Sequence, residues 1–110
     1  MTKIKICGLF REEDIHAVND LLPDYIGFII NYPKSHRSIS FEKVKELKSM
    51  LKPEIKAVGV FVNQAQEDII SISDSINLIQ LHGNEDNNYI HELKRKTNLP
   101  IIKAFIIKSK

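Results

Sequence analysis

Apolar and polar positions along this 110-residue chain follow two periods, and the change between them divides the chain into strands and helices. Short continuous or alternating apolar runs, typical of strands, begin near residues 3, 24, 56, 78 and 100. Every run except the last is followed by a stretch with apolar residues at three- and four-residue steps, typical of an amphipathic helix. This strict alternation favours an α/β fold with a parallel sheet built from right-handed βαβ units.

The pattern sets approximate bounds for each element. The predicted strands are 3–9, 25–30, 56–63, 78–83 and 99–104, and the predicted helices are 11–22, 41–52, 65–75 and 85–97. Residues 31–40 form a polar loop, which is long for a strand-to-helix connection. No stretch resembles a linker, so we expect one domain over residues 1–110 with no internal boundary.

Composition narrows the class of protein. A net charge of +2 with scattered lysines does not indicate a nucleic-acid partner. A single cysteine excludes an internal disulfide and a zinc ribbon. No apolar run approaches the ~20 residues of a membrane-spanning helix, and no signal-peptide core follows Met1, so we expect a cytoplasmic protein without a membrane partner.

Polar side chains occur at the carboxyl ends of three predicted strands, where ligands bind in parallel α/β folds. These residues are Cys7, Gln80 with His82, and Lys103. Gln80 and His82 share one face of their strand because side chains alternate. Taken singly, each has a structural explanation: a small buried cysteine, a satisfied core glutamine, an exposed histidine. Together at one edge of one sheet, they favour a polar site.

Arg37 lies in the long loop after the second strand, on the same side of the sheet. A guanidinium there could grip a carboxylate or phosphate with two parallel hydrogen bonds, assisted by Lys34 and His36. A solvated basic loop is the alternative.

Six segments, in order along the whole chain, resemble phosphoribosylanthranilate isomerase. They are Lys5-Ile6-Cys7-Gly8-Leu9, Gly27-Phe28, Lys34-Ser35-His36-Arg37-Ser38-Ile39-Ser40, Val58-Gly59-Val60-Phe61-Val62-Asn63, Ile79-Gln80-Leu81-His82-Gly83 and Ile102-Lys103-Ala104. The resemblance implies a (β/α)₈ TIM barrel of tryptophan biosynthesis. It also implies an Amadori rearrangement of N-(5-phosphoribosyl)anthranilate to 1-(2-carboxyphenylamino)-1-deoxyribulose 5-phosphate, with no cofactor or metal.

The same resemblance implies roles for four residues. Cys7 would be the general base that removes the sugar C2 proton from the ring-opened imine. Arg37 would hold the anthranilate end of this small phosphorylated substrate. Gln80 and His82 would line the pocket.

The chain departs from the family in length. A complete barrel takes roughly 200 residues or more, whereas this chain supplies four βα units and a fifth strand, the N-terminal half. The family's general acid, an aspartate on the sixth strand, and its phosphate-binding loops after strands seven and eight have no counterpart here. We therefore expect the 110-residue chain to be inactive alone and to pair with the missing C-terminal half or with a second copy. A non-catalytic half-barrel module is the alternative function.

A phosphate-receiver domain of the flavodoxin type is a further alternative, since it also has five alternating units. Such a domain needs an aspartate where this chain has Asn63, and an acidic pair where it has Cys7 and Gly8. We reject it on these residues. A flavin-binding module is disfavoured because no Ser/Thr/Gly-rich phosphate loop follows the first strand.

Overall fold

A computed structural model describes residues 5–32 and 34–103, without the side chains of Lys5 and Cys7. The strands are β1 Lys5–Cys7, β2 Tyr25–Ile30, β3 Ser38–Ile39, β4 Lys56–Phe61, β5 Leu78–Leu81 and β6 Ile101–Lys103. The helices are α1 Glu12–Leu21, α2 Phe41–Met50, α3 Gln66–Ile72 and α4 Asn87–Lys96, with a 3₁₀ helix at Ser73–Ser75. The predicted outer ends of the first and last strands, and the tail 105–110, lie outside the described residues.

The strands form one parallel sheet in the order β1-β2-β4-β5-β6, and the short β3 pairs with the far end of β2. Each main strand therefore lies beside the main strand that precedes it in the chain. This sequential order is the one that the resemblance to a (β/α)₈ barrel implies. A flavodoxin-like order would place β1 between β2 and β4, so the topology also confirms the rejection of a receiver domain.

All four α-helices pack on one face of the sheet. Each contributes buried residues to the core, which are Ile15 and Val18, Val44 and Leu47, Ile69 and Ile72, and Leu93. They meet alternate positions of the strands, among them Phe28, Phe61 and Leu81, all 0% exposed. The intervening valines Val58 and Val60 are buried but lie outside this cluster. Helices on a single face are the arrangement of a (β/α) barrel wall.

Several elements end one or two residues inside their predicted bounds, and three local differences have a clear physical origin. The loop 31–40 contains β3, whose two residues gave too short a pattern to detect. The third helix ends at Ile72 and tightens into the 3₁₀ turn, whereas the prediction extended it to residue 75. The fourth helix begins at Asn87 because the Asp86 side chain caps it by accepting from the Tyr89 N–H at 2.8 Å, which leaves Glu85 in the preceding loop.

Within the described residues, no helix is both long and apolar enough to span a bilayer.

Candidate active site

The carboxyl ends of the parallel strands bring the predicted binding residues of β5 to one edge of the sheet. Gln80 pairs in register with Val60, on the face opposite the helices. His82 follows two residues later, just beyond the end of β5, and its N–H donates to the Phe61 carbonyl at 2.9 Å. Ile79 and Leu81 are 0% exposed on the helix side. The predicted shared face of Gln80 and His82 is therefore confirmed.

An open cavity of about 350 Å³ lies on this helix-free face at the carboxyl ends of the strands. Its lining comprises Ile29, Tyr32, Ser35, Val60, Val62 and His82. The apolar residues come from β2 and from β4 with its extension, whereas Tyr32 and Ser35 come from the long loop. The cavity thus combines an apolar floor with polar groups at its rim, which is the usual composition of a small-molecule site.

The long loop is held in shape by its own hydrogen bonds. The Tyr32 N–H donates to Ser38 Oγ at 2.6 Å, and the Arg37 N–H donates to Ser35 Oγ at 3.2 Å. The Asn31 N–H donates to the Ile39 carbonyl at 2.9 Å, so β3 closes the loop against β2. A loop fixed in this way can present a side chain at a defined position.

Arg37 extends from this loop over Gly8, directly after β1. A Cβ atom added at Gly8 would lie 2.8 Å from Arg37 Cδ and 3.3 Å from its Nη1. Gly8 also has a φ of +87°, a backbone conformation that is unfavourable for residues with a Cβ atom. The glycine therefore serves both the turn after β1 and the close approach of the guanidinium, which remains exposed.

Cys7 is the last residue of β1 and pairs in register with Gly27 of β2. The backbone thus places Cys7 one residue from the glycine on which Arg37 packs. The predicted orientation of its thiol lies outside the described residues. The structure brings Arg37 to the end of β1 and His82 to the cavity, with the loop 31–40 contributing to both places.

Lys103, which the sequence grouped with Cys7, Gln80 and His82 at the carboxyl edge of the sheet, lies at that edge but not on the helix-free face. It pairs in register with Leu81, a residue of the helix side, so it occupies the opposite face from Gln80. Its ammonium group donates to the Gly83 carbonyl and to Glu85 Oε1, the latter at 2.8 Å. The sequence grouping rested on polar residues at strand ends and assigned no face to Lys103.

Glu85 is a buried residue at the centre of a polar cluster that we call the clasp, comprising Asn63, Gly83, Glu85 and Lys103. The Glu85 side chain is 1% exposed. Besides Lys103, its carboxylate accepts from the Asn63 N–H at 2.8 Å and from the Gly83 N–H at 2.9 Å. The carboxylate therefore ties together the ends of β4, β5 and β6.

The clasp keeps Glu85 ionised. Burial by itself would raise the pKa of this carboxyl, but the hydrogen bonds from Lys103 and from backbone N–H groups outweigh it. The net result is a pKa of Glu85 below its ordinary value. Sequence reasoning missed this residue because it assigned Glu85 to the first turn of a helix, where an acidic residue is unremarkable.

Among the described residues, no group of three or more His, Cys, Asp or Glu side chains could hold a metal ion.

Comparison with known sequences identifies the lineage of this chain. The family model described as N-(5'phosphoribosyl)anthranilate (PRA) isomerase matches residues 4–110. The N-(5'-phosphoribosyl)anthranilate isomerase of Thermoanaerobacter sp. (strain X514) is 46% identical over 112 aligned positions, covering 100% of this chain and 53% of that protein. The chain therefore spans about half the length of the curated relatives that it matches.

Solved structures agree with the sequence comparison. Monomers of the dimeric phosphoribosylanthranilate isomerase from Thermotoga maritima superpose with a TM-score of 0.86 at 33% identity, covering 100% of this chain and 56% of that one. A phosphoribosyl anthranilate isomerase in complex with reduced 1-(o-carboxyphenylamino)-1-deoxyribulose 5-phosphate gives 0.80 at 34% identity, with 94% and 53% covered. Sequence and fold agree along the described strands and helices, and the chain belongs to the N-(5'-phosphoribosyl)anthranilate isomerase family.

Proposed function

We propose that this chain is the N-terminal half of a phosphoribosylanthranilate isomerase and carries the general base and part of the substrate pocket. The reaction is the Amadori rearrangement of N-(5-phosphoribosyl)anthranilate in tryptophan biosynthesis. The observation that carries the proposal is that one loop both packs Arg37 on Gly8, next to Cys7, and lines the cavity that contains His82. The family match supplies the reaction.

Each proposed role follows from chemistry available at that position. Cys7, as a thiolate, would accept the C2 proton of the ring-opened imine. Arg37 would bind the anthranilate carboxylate through two N–H groups, because its guanidinium is exposed and already held beside Gly8. His82 and Gln80 would line the side of the pocket formed by β5.

The decisive experiment completes the barrel. The full 110-residue chain is joined to the part of the Thermoanaerobacter isomerase that it does not cover, giving a full-length chimaera. We expect this chimaera to convert N-(5-phosphoribosyl)anthranilate to 1-(2-carboxyphenylamino)-1-deoxyribulose 5-phosphate. A chimaera that folds, as judged by a cooperative thermal transition, but gives no turnover would contradict the proposal.

The 110-residue chain alone provides the contrasting measurement. We expect no turnover from it, because the family's general acid and phosphate-binding loops belong to the second half. Turnover by the isolated chain would contradict the proposal that catalysis needs residues from both halves of the barrel. A folded, inactive chimaera would instead favour the alternative, a half-barrel module that keeps the motifs without catalysis.

The edges of the sheet support pairing with the missing half or with a second copy. Within the described residues, β1 pairs only with β2, and β6 pairs only with β5. Ile102 of β6 is 46% exposed, and Leu21 at the end of α1 is 71% exposed. Unpaired strands flanked by exposed apolar residues are templates for association. Sedimentation of the 110-residue chain should therefore reveal a dimer or larger species, and a stable monomer would contradict this part of the proposal.

We place the reaction in the cytoplasm, where small phosphorylated biosynthetic intermediates are retained. Fractionation of cells producing the protein tests this location.

A further inference from the structure

We propose that Glu85, held by Lys103, is a positioning residue for His82, and this inference rests on the proposed function for its meaning in catalysis. Glu85 does not line the cavity on the helix-free face, whereas His82 does. Its influence on a bound substrate would therefore pass through the backbone of the chain between them.

The backbone around His82 is fixed on both sides. The peptide group before His82 is held because the His82 N–H donates to the Phe61 carbonyl at 2.9 Å. The peptide group after it is held because the Gly83 N–H donates to Glu85 Oε1 at 2.9 Å. Since each peptide group is a rigid plane, fixing both planes fixes the two backbone torsions of His82 and hence the direction of its Cα–Cβ bond.

The neighbouring strand ends are fixed by the same carboxylate. Glu85 Oε2 accepts from the Asn63 N–H at 2.8 Å, just after Val62, another residue that lines the cavity. The Asn63 side-chain oxygen in turn accepts from the Asn84 N–H at 2.8 Å. The clasp therefore holds the β4 and β5 walls of the cavity at a set separation.

Lys103 makes this arrangement possible by compensating the charge. A buried carboxylate without a cation would be unstable or protonated, and a protonated Glu85 would lose acceptor capacity at its oxygens. The Lys103 ammonium group donates to Glu85 Oε1 and to the Gly83 carbonyl, so it also anchors the residue after His82 a second time. The ion pair and the two backbone N–H bonds form one unit.

The test substitutes Glu85→Gln in the full-length chimaera, with Glu92→Gln on the exposed face of α4 as the matched control. An amide side chain cannot accept from both backbone N–H groups through equivalent oxygens or pair with the Lys103 charge. Hydrogen exchange at Gly83 and Asn63 should become at least about tenfold faster relative to the control. The ring signals of isotope-labelled His82, assigned with His82→Asn, should shift or broaden.

Turnover gives the catalytic readout. We expect kcat to fall by about tenfold or more with a smaller change in KM, because a displaced group beside the reacting atoms costs mainly rate. Unchanged exchange and unchanged His82 signals in Glu85→Gln would overturn the inference. Faster exchange with unchanged His82 signals and kcat would also overturn it, since the clasp would then have a structural role only.

Two further measurements test the inference if the chimaera is inactive or if Glu85→Gln does not fold. If the unsubstituted chimaera shows no turnover, the proposed function fails, yet hydrogen exchange and the His82 signals still test the positioning role. If Glu85→Gln does not fold, the double variant Glu85→Gln with Lys103→Met removes both charges and is read in the same way, since replacing both partners is tolerated better than removing one.

Discussion

Two groups of polar residues lie at the same edge of the sheet, and they differ in where their hydrogen bonds go. In the clasp, Glu85 is 1% exposed at its side chain and has three donors from within the chain. The second group, which we call the open group, comprises Arg37 beside Gly8 and His82 at the cavity, and both residues are exposed. Buried polar groups must be satisfied internally, whereas a binding site keeps its groups available for a ligand. The clasp therefore supports the strand ends, whereas the exposed side chains of the open group remain available to bind a substrate.

The strongest test of this division is Cys7→Ser in the full-length chimaera. We expect turnover to fall about 10²–10⁴-fold, the usual contribution of a general base, with the thermal midpoint nearly unchanged. A progress-curve assay with purified protein measures the change. Near-normal turnover would return Cys7 to the role of a small core residue.

Lys103→Met in the full-length chimaera removes the ion pair of the clasp and leaves the residues of the open group unchanged. It leaves the Glu85 carboxylate buried without its cation, and we expect the free energy of unfolding to fall by about 3 kcal/mol. Urea unfolding measures this loss, and Lys94→Met on the exposed face of α4 is the control. If the two variants were equally stable, the clasp would not be a supporting element.

Arg37→Ala should have the reverse profile. Losing a charged hydrogen-bonding partner is expected to weaken substrate binding by roughly tenfold or more, while stability changes by less than about 0.5 kcal/mol. Arg37→Lys should restore only part of the affinity because an ammonium group cannot form two parallel hydrogen bonds. Titration with a product analogue measures both. Equal affinity in all three proteins would exclude Arg37 from the site.

The smallest effect concerns pH. Because the pKa of Glu85 is lowered in the folded state, the unfolded chain binds more protons as the pH falls below the ordinary value of 4.5. The stability that Glu85 contributes is thus fully present at neutral pH and is lost as the pH falls through its lowered folded pKa. The stability difference between the unsubstituted chimaera and Glu85→Gln should shrink between pH 6 and pH 3, and a constant difference would contradict the assignment.

How far the sequence could predict the molecule depends on the range of the interaction. The alternation of strands and helices and the shared face of Gln80 and His82 follow from local periodicity, the sequential strand order follows from the resemblance to a barrel, and all are confirmed. The clasp joins residues about 20 positions apart, and its geometry depends on the register between β5 and β6. Periodicity within one segment carries no information on that register, so the sequence did not show that Lys103 and Gln80 lie on opposite faces.

The packing of Arg37 on Gly8 was beyond prediction for a similar reason. The sequence placed Arg37 on the correct side of the sheet, but the loop conformation depends on the Ser35 and Ser38 hydroxyl groups and on β3. These contacts arise only once β2 has formed a partner for β3. The role of Gly8 in making room for the guanidinium likewise exists only in the folded loop.

The strand order has a consequence for how the protein is made. Each main strand pairs with the main strand synthesised just before it, and the helices between them pack on one face of the paired strands. A nascent chain can therefore add one strand–helix unit at a time while it leaves the ribosome, without waiting for a distant segment to close the sheet. The clasp would form last, when Lys103 emerges and neutralises the carboxylate already seated above β4 and β5.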